Sequence, residues 1–293
     1  MSLATFAPVL DAVRGIGWPA LRRVRSAVPG PHVSRVRGTT AEFVEHRAYR
    51  QGDEPKRIDW KLVARTERVY IRLSQERAIQ PTMLLLDASA SMAFPAPGND
   101  KWEHARRIGI GLAAVARHSG DPVGMLVSHV DGRRVVEPRT RRTVLEEMMH
   151  AVDVAPSGAQ PLLPALREAM RRCRRLVIVT DFLGDADALL SATRAFVAAG
   201  NEVYAVHVVA QGELDPDPKK LLLADPEQPE VRRPMSPPAR AAYLRRFGAW
   251  REQLARDWRR AGAVYTMVVP GQEPMRQTIR RLTTPSELAR VSR

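Results

Sequence analysis

Two apolar runs in this chain end in aspartate. Leu84-Leu85-Leu86 leads into Asp87, and Ile178-Val179-Thr180 leads into Asp181. The first Asp opens Asp87-Ala88-Ser89-Ala90-Ser91, so oxygen-bearing side chains recur at every second position. Alternation in a loop that leaves a buried strand can send Asp87, Ser89 and Ser91 toward one point. Two hydroxyls with one or two carboxylates make an all-oxygen set. Such a set suits a hard cation, Mg²⁺ first, with water in the remaining octahedral positions. A shell so poor in carboxylates leaves the ion under-neutralised and favours an acidic group from another molecule. The competing reading is structural: Ser and Asp after a strand also cap helices and form turns.

The elements that would position these groups follow from periodicity. Strands are expected over 82–86, 123–130, 176–180, 203–209 and 264–269, with 134–137 as an edge. Helices are expected over 101–118, 143–152, 162–173, 186–199, 239–260 and 273–282, with Gly200 as a C-terminal stop. Tyr243, Phe247, Trp250, Leu254 and Trp258 share one face of the long helix, a stripe that serves core packing. Residues 211–238 are rich in Pro, Asp and Glu and read as loop. Apolar strands alternating with helices give an α/β fold, a doubly wound, mostly parallel sheet covered on both faces. In such a sheet, ligands bind beyond the carboxyl ends of the strands, where strand order reverses. Asp87 and Asp181 both stand at strand carboxyl ends.

Ahead of this domain, residues 33–80 form a separate block with short strands expected over 43–49 and 69–74 and a helical candidate between them. Residues 1–32 read as a basic, poorly structured or peripheral lead, for which docking onto its own domain or disorder is favoured over a membrane-surface role. Leu21, Val24 and Val28 could line one face of a short helix there, with Arg22, Arg23 and Arg25 opposite, before Pro29-Gly30-Pro31 breaks it. The expected organisation is thus 1–32 lead, 33–80 small β-containing element, 81–283 main domain and 284–293 tail.

The net charge of +14 is unevenly spread. Residues 1–40 carry six Arg and one Asp, and residues 232–293 carry fourteen Arg and four acids, which leaves the middle near neutral. Only five of the 46 basic residues are Lys. Cys173 is the one cysteine, so neither an internal disulfide nor a cysteine-built zinc site is available. No apolar run approaches the roughly 18 residues of a membrane-spanning helix. The first residues lack a basic start, and Asp11 and Arg14 interrupt their apolar run, so a cytoplasmic location is expected.

Catalytic readings fare poorly. An aspartyl-phosphate enzyme needs a second carboxylate two residues on, where this chain has Ser89. No Gly-rich phosphate loop with Lys-Ser/Thr and no Gly-x-Ser-x-Gly elbow is present. His104, His118, His129 and His207 are scattered and read as surface or packing residues.

The Asp-x-Ser-x-Ser segment resembles the metal-ion-dependent adhesion site of von Willebrand factor A domains. The wider chain resembles the bacterial family called domain of unknown function 58, which is built on that fold. Tyr49-Arg50-Gln51-Gly52-Asp53, Arg57-Ile58-Asp59-Trp60, Ala64-Arg65, Tyr70-Ile71-Arg72 and Gln75-Glu76 are similar to its signature, and Asp121-Pro122-Val123-Gly124, Tyr243 and Trp250 also fit. The likeness covers about residues 35–283. It implies Asp87, Ser89, Ser91 and Asp181 as metal ligands, and a MoxR-type AAA+ ATPase as partner in a chaperone-like or assembly role. One departure stands out. A third loop normally supplies a threonine, but Pro156-Ser157-Gly158-Ala159-Gln160 places Ala159 there, leaving Ser157 or Gln160 to compensate. For the signature block, Arg57, Asp59 and Arg65 are expected to tie the small element to the sheet through charge-assisted hydrogen bonds. The expected function is partner binding at the carboxyl edge, without catalysis. The alternative is an anion-binding module that holds nucleic acid or anionic lipid with the Arg-rich ends.

Overall fold

The computed structural model describes residues 5–21, 29–33, 43–51, 53, 55, 58–74, 77–95, 101–217, 222–224, 232–234 and 236–284. The chain forms two compact units, Pro19–Gln80 and a larger one made of Met1–Trp18 with Pro81–Arg293.

The chain enters the larger unit through α1 (Ala7–Ala12). The first part of the lead expected over 1–32 docks into the larger unit, with Phe6, Val9, Val13, Ile16 and Trp18 all buried. Each such side chain contributes about 1.5–3 kcal/mol when removed from water. That apolar spacing decides the matter, because the basic residues of the lead lie beyond Trp18 except for Arg14. Of the basic helix considered over 21–28, only Leu21 lies within the described residues.

The smaller unit holds β1 (Pro29–Val33), β2 (Phe43–Ala48), α2 (Trp60–Thr66), β3 (Tyr70–Ser74) and β4 (Arg77–Ala78). β1 pairs with β4 and β2 with β3, both antiparallel. Within the signature block, Arg47 donates to both carboxylate oxygens of Asp53 at 2.7 and 2.8 Å, and the Arg50 N–H donates to the same group at 2.8 Å. Asp59 is the N-cap of α2, accepting from the N–H groups of Lys61 and Leu62 at 3.1 and 3.2 Å. Its side chain therefore fixes the local helix start. Arg65 is exposed, and Arg57 lies outside the described residues.

The larger unit continues with β5 (Thr82–Asp87), α3 (Lys101–His118), β6 (Val123–His129), β7 (Gly132–Arg139), α4 (Val144–Ala151), α5 (Leu162–Met170), β8 (Arg175–Thr180), α6 (Ala186–Ala198) and β9 (Glu202–Val208). A short helix α7 (Gln211–Leu214) and a small hairpin of β10 (Leu222–Ala224) and β11 (Arg232–Pro234) follow. The chain then forms α8 (Pro237–Arg260), β12 (Val264–Val268) and α9 (Met275–Thr283). The hairpin and α7 lie in the stretch expected to be loop, where elements of three or four residues leave no periodicity to read.

Six strands make one sheet in the order β12-β9-β8-β5-β6-β7, parallel except for the antiparallel edge strand β7. This is the α/β, doubly wound, mostly parallel fold expected from the sequence. β5, β8 and β9 are buried along their full length, as strands covered on both faces must be. One face packs Met83, Leu85, Ile178 and Ala205 against Leu166 of α5, Leu190 of α6 and Trp258 of α8. On the other face α3 comes so close that a Cβ at Gly109 would sit 3.0 Å from the Leu86 side chain. α6 stops at Gly200, whose φ of +88° suits a residue without Cβ.

The strand order places the candidate site. From β5 the chain steps to β6 on one side, and later returns to β8 on the other. The switch point lies between β5 and β8, the two strands that end at Asp87 and Thr180–Asp181.

Candidate functional site at the switch point

The structure brings Asp87, Ser89 and Ser91 together. Asp87 Oδ1 accepts from the Ser89 N–H at 3.0 Å, and the two serine hydroxyls lie 3.2 Å apart. A 3-10 turn over Ala90–Ala93 folds Ser91 back toward Ser89. Because β5 and β8 run parallel in register, Thr180 lies beside Asp87, and its hydroxyl donates to Asp87 Oδ2 at 2.6 Å. The loop of residues 156–160 zips onto this turn: the Ser157 N–H donates to Ala88 O at 3.0 Å and the Ala90 N–H to Gly158 O at 2.8 Å.

Asp181 has a partner that sequence reading missed. Its Oδ2 accepts from Lys101 Nζ at 2.8 Å, while its Oδ1 accepts from the Leu183 N–H at 3.2 Å. Lys101 also donates to Glu213 Oε1 at 2.7 Å. The lysine side chain is fully buried between the two carboxylates. The signal available in the sequence was compositional: in a chain that prefers Arg so heavily, a Lys at the first position of the helix after the Asp-x-Ser-x-Ser loop is unusual.

Solvent barely reaches the four expected site residues, with Asp87 7%, Ser89 5%, Ser91 4% and Asp181 3% exposed. Burial, then the neighbouring charge of Asp181, pushes the Asp87 carboxyl up to about 6, against the opposing hydrogen bonds from Thr180 and Ser89. Burial pulls the Lys101 ammonium down, but Asp181 and Glu213 outweigh it and hold the group above its ordinary value. Next to the site, burial pushes His207 down to about 3, so it packs as a neutral ring, with Nδ1 2.5 Å from the Tyr265 hydroxyl. Burial likewise pushes His104 down to about 4.

The turn after β8 is shaped by Phe182, a non-glycine residue at φ +56°. Such backbone persists where packing over-determines it. Here the Phe182 ring is buried against Trp258 and His207, at centroid distances of 5.0 and 5.6 Å. The next residue, Leu183, is 52% exposed. The aromatic stripe of α8 is core at one end, with Leu254 and Trp258 buried. At the other end Tyr243, Phe247 and Trp250 stack half-buried, and the Tyr243 hydroxyl donates to Glu213 O at 3.0 Å.

A divalent ion of the adhesion type needs free carboxylate and hydroxyl oxygens, with water completing the octahedron. The donor set here does not fit one. Asp181, one of the two carboxylates in the set, is already bonded to an ammonium. Ala159 supplies no hydroxyl. Neither compensating residue turns to the site: Ser157 Oγ lies 3.2 Å from His129 Nε2, and Gln160 Nε2 donates to Val130 O at 3.1 Å. A second cation beside the buried Lys101 would also meet its charge in a medium that screens poorly.

What fold and site define is a doubly wound α/β domain with a closed polar cluster at its switch point. The chain belongs to the family described as protein of unknown function DUF58, whose model matches residues 45–253. Among curated proteins it is similar to the uncharacterized protein Rv1480 of Mycobacterium tuberculosis, 29% identical over 262 residues, covering 86% of this chain and 82% of that one. An uncharacterized protein of Mycobacterium bovis matches to the same extent. Among solved structures it is similar to the conserved hypothetical protein BatB from Bacteroides thetaiotaomicron, with 16% identity and a TM-score of 0.45 over 70% of this chain and 96% of that one. It is also similar to the SpRpn10 VWA domain, with 10% identity and a TM-score of 0.40 over 69% and 94%.

Proposed function

We propose that the protein is a non-catalytic binding module that docks a partner protein on the carboxyl edge of its large sheet. The observation that carries this reading is the exposed apolar Leu183 immediately after Asp181, on a turn held rigid by the buried Phe182. Val130, 40% exposed, stands at the end of the neighbouring β6 hairpin on the same edge. The buried oxygens beneath bond to one another and to Lys101, so they brace these loops. An apolar residue on a preorganised loop is the kind of anchor that carries binding energy at interfaces. The family resemblance makes a MoxR-type AAA+ ATPase the partner to test first, with the protein acting beside it in a chaperone-like or assembly role.

The test is capture of a MoxR-type AAA+ ATPase of the same organism by the purified chain. L183D and V130D together are expected to weaken capture about tenfold or more, with thermal unfolding unchanged. Chelator should leave wild-type capture intact. Full capture by the double variant would remove this edge as the interface.

The anion-binding alternative has less support among the described residues. Arg240, Arg256, Arg260 and Arg281 pair with Asp215, Glu252, Asp257 and Glu273, and Arg276 donates to the carbonyls of Ala12 and Arg14.

A further inference from the structure

We propose that Lys101 is a tethered cation that neutralises Asp181 and Glu213 in place of a divalent ion, so that the carboxyl edge assembles without metal. This concerns the chain alone and stands apart from the docking reading.

A structural ion at a loop cluster does two things. It cancels carboxylate charge, and it joins segments distant in sequence. Lys101 does both. Its ammonium bridges Asp181, just past β8, and Glu213 in α7, at 2.8 and 2.7 Å. Its own backbone N–H donates to Phe94 O at 3.0 Å, which ties the start of α3 to the segment following the Asp-x-Ser-x-Ser turn. The Phe94 ring lies under the ammonium, 6.0 Å from centroid to Nζ, a distance at which a ring face still attracts a cation. Glu213 passes the connection on. Its Oε2 accepts from the Ala210 N–H at 2.7 Å, and its carbonyl accepts from Tyr243 of α8.

Residue type supports the role. A compact ammonium is a point charge with rotatable donors, and it fits where two carboxylates converge from different directions. A guanidinium is a flat fork whose donors all lie in one plane. With only five Lys among 46 basic residues, the chain uses the rarer residue where the geometry asks for it. The substitution also explains the departures from the adhesion pattern. With Asp181 held by the chain's own cation, a hydroxyl at position 159 has no ion to bind. Ala159 is exposed, and Ser157 and Gln160 bond elsewhere.

The experiment uses Mn²⁺ as the probe on the purified full chain, read by titration calorimetry and by thermal unfolding with Mn²⁺ or with chelator. The proteins are wild type, A159T, K101M and K101M/D181N. Wild type and A159T should show no saturable Mn²⁺ site and the same unfolding midpoint in both conditions. K101M should unfold at lower temperature, gain a saturable site at least about tenfold tighter than any wild-type binding, and recover part of its midpoint with Mn²⁺. K101M/D181N should lose that gain. Saturable, stabilising Mn²⁺ binding by wild type would overturn the proposal, because the site would then be metal-built after all. So would an A159T chain that binds Mn²⁺, which would make the missing hydroxyl the only obstacle. A folded K101M without any gain, or a gain that survives D181N, would overturn it equally. If K101M does not fold, wild type and A159T decide: refusal of Mn²⁺ by both sustains the proposal, and binding by either ends it.

Discussion

Each end of the large sheet buries one cation between two carboxylates, and the two arrangements are built differently. At the amino end Arg175 donates from Nε to Glu202 at 3.0 Å and lies 3.4 Å from Asp121 through Nη1. At the carboxyl end Lys101 bridges Asp181 and Glu213. The amino-end cluster is part of the ladder. Arg175 and Glu202 are register partners at the starts of β8 and β9, and the guanidinium stacks on Trp18 at 4.5 Å. Trp18 in turn packs edge-on against Tyr204 at 5.2 Å, so this cluster clamps the N-terminal segment to the sheet. The carboxyl-end cluster joins residues that all lie outside strands, at the start of a helix, past a strand end and in a short helix. One end fixes the frame with a planar fork and an aromatic lid. The other holds loops together with a point charge, which leaves the edge open to specialise.

That contrast can be broken from either side. The largest effect is expected at the amino end. R175M leaves Asp121 and Glu202 buried without its charge and should cost about 5 kcal/mol, measured by urea unfolding. The same clamp predicts that W18A costs about 4 kcal/mol, through lost burial and the lost cation–π contact. If W18A were nearly neutral, the N-terminal segment would not be clamped as described.

A smaller effect is expected at the carboxyl end, and it depends on pH. Burial and Asp181 raise the Asp87 carboxyl to about 6 in the folded chain. The folded state therefore holds this proton more tightly than the unfolded chain, whose aspartates titrate near about 3.9. The resulting penalty is absent below the unfolded value and complete above the folded one. It amounts to at most about 3 kcal/mol. Relative to D87N, wild type should lose stability as pH rises from about 4 to about 7. A wild-type-minus-D87N difference that is flat with pH would show that Asp87 is not held near neutrality.

Much of the frame could be read from residue pattern. Helix α3 is observed over Lys101–His118, as its periodicity predicts, and the strands before Asp87 and Asp181 are where their apolar runs place them. The aromatic stripe of α8 was legible as packing, although its first half remains partly exposed. The candidate site was half legible. Asp87, Ser89 and Ser91 converge because they share one short turn, a local property of the chain. Their accompaniment was not. Thr180 reaches Asp87 only because β5 and β8 are neighbours. Phe6 and Trp18 looked like part of a basic lead until their burial against the main unit was seen.

The sequence by itself therefore determined which runs are strands, that two of them end in aspartate, and that a hydroxyl-rich turn follows the first. These follow from hydrophobic periodicity and from residue chemistry over a few positions. Only the tertiary structure decided what answers the charge of Asp181. Lys101 is 80 residues from Asp181 and 112 from Glu213, and no local pattern connects them. They meet because the order of strands reverses between β5 and β8, which opens the carboxyl edge to the start of α3 and to α7. A pair buried there lies in a medium where an uncompensated charge is costly, so each carboxylate needs a partner, and the fold supplies one from its own chain.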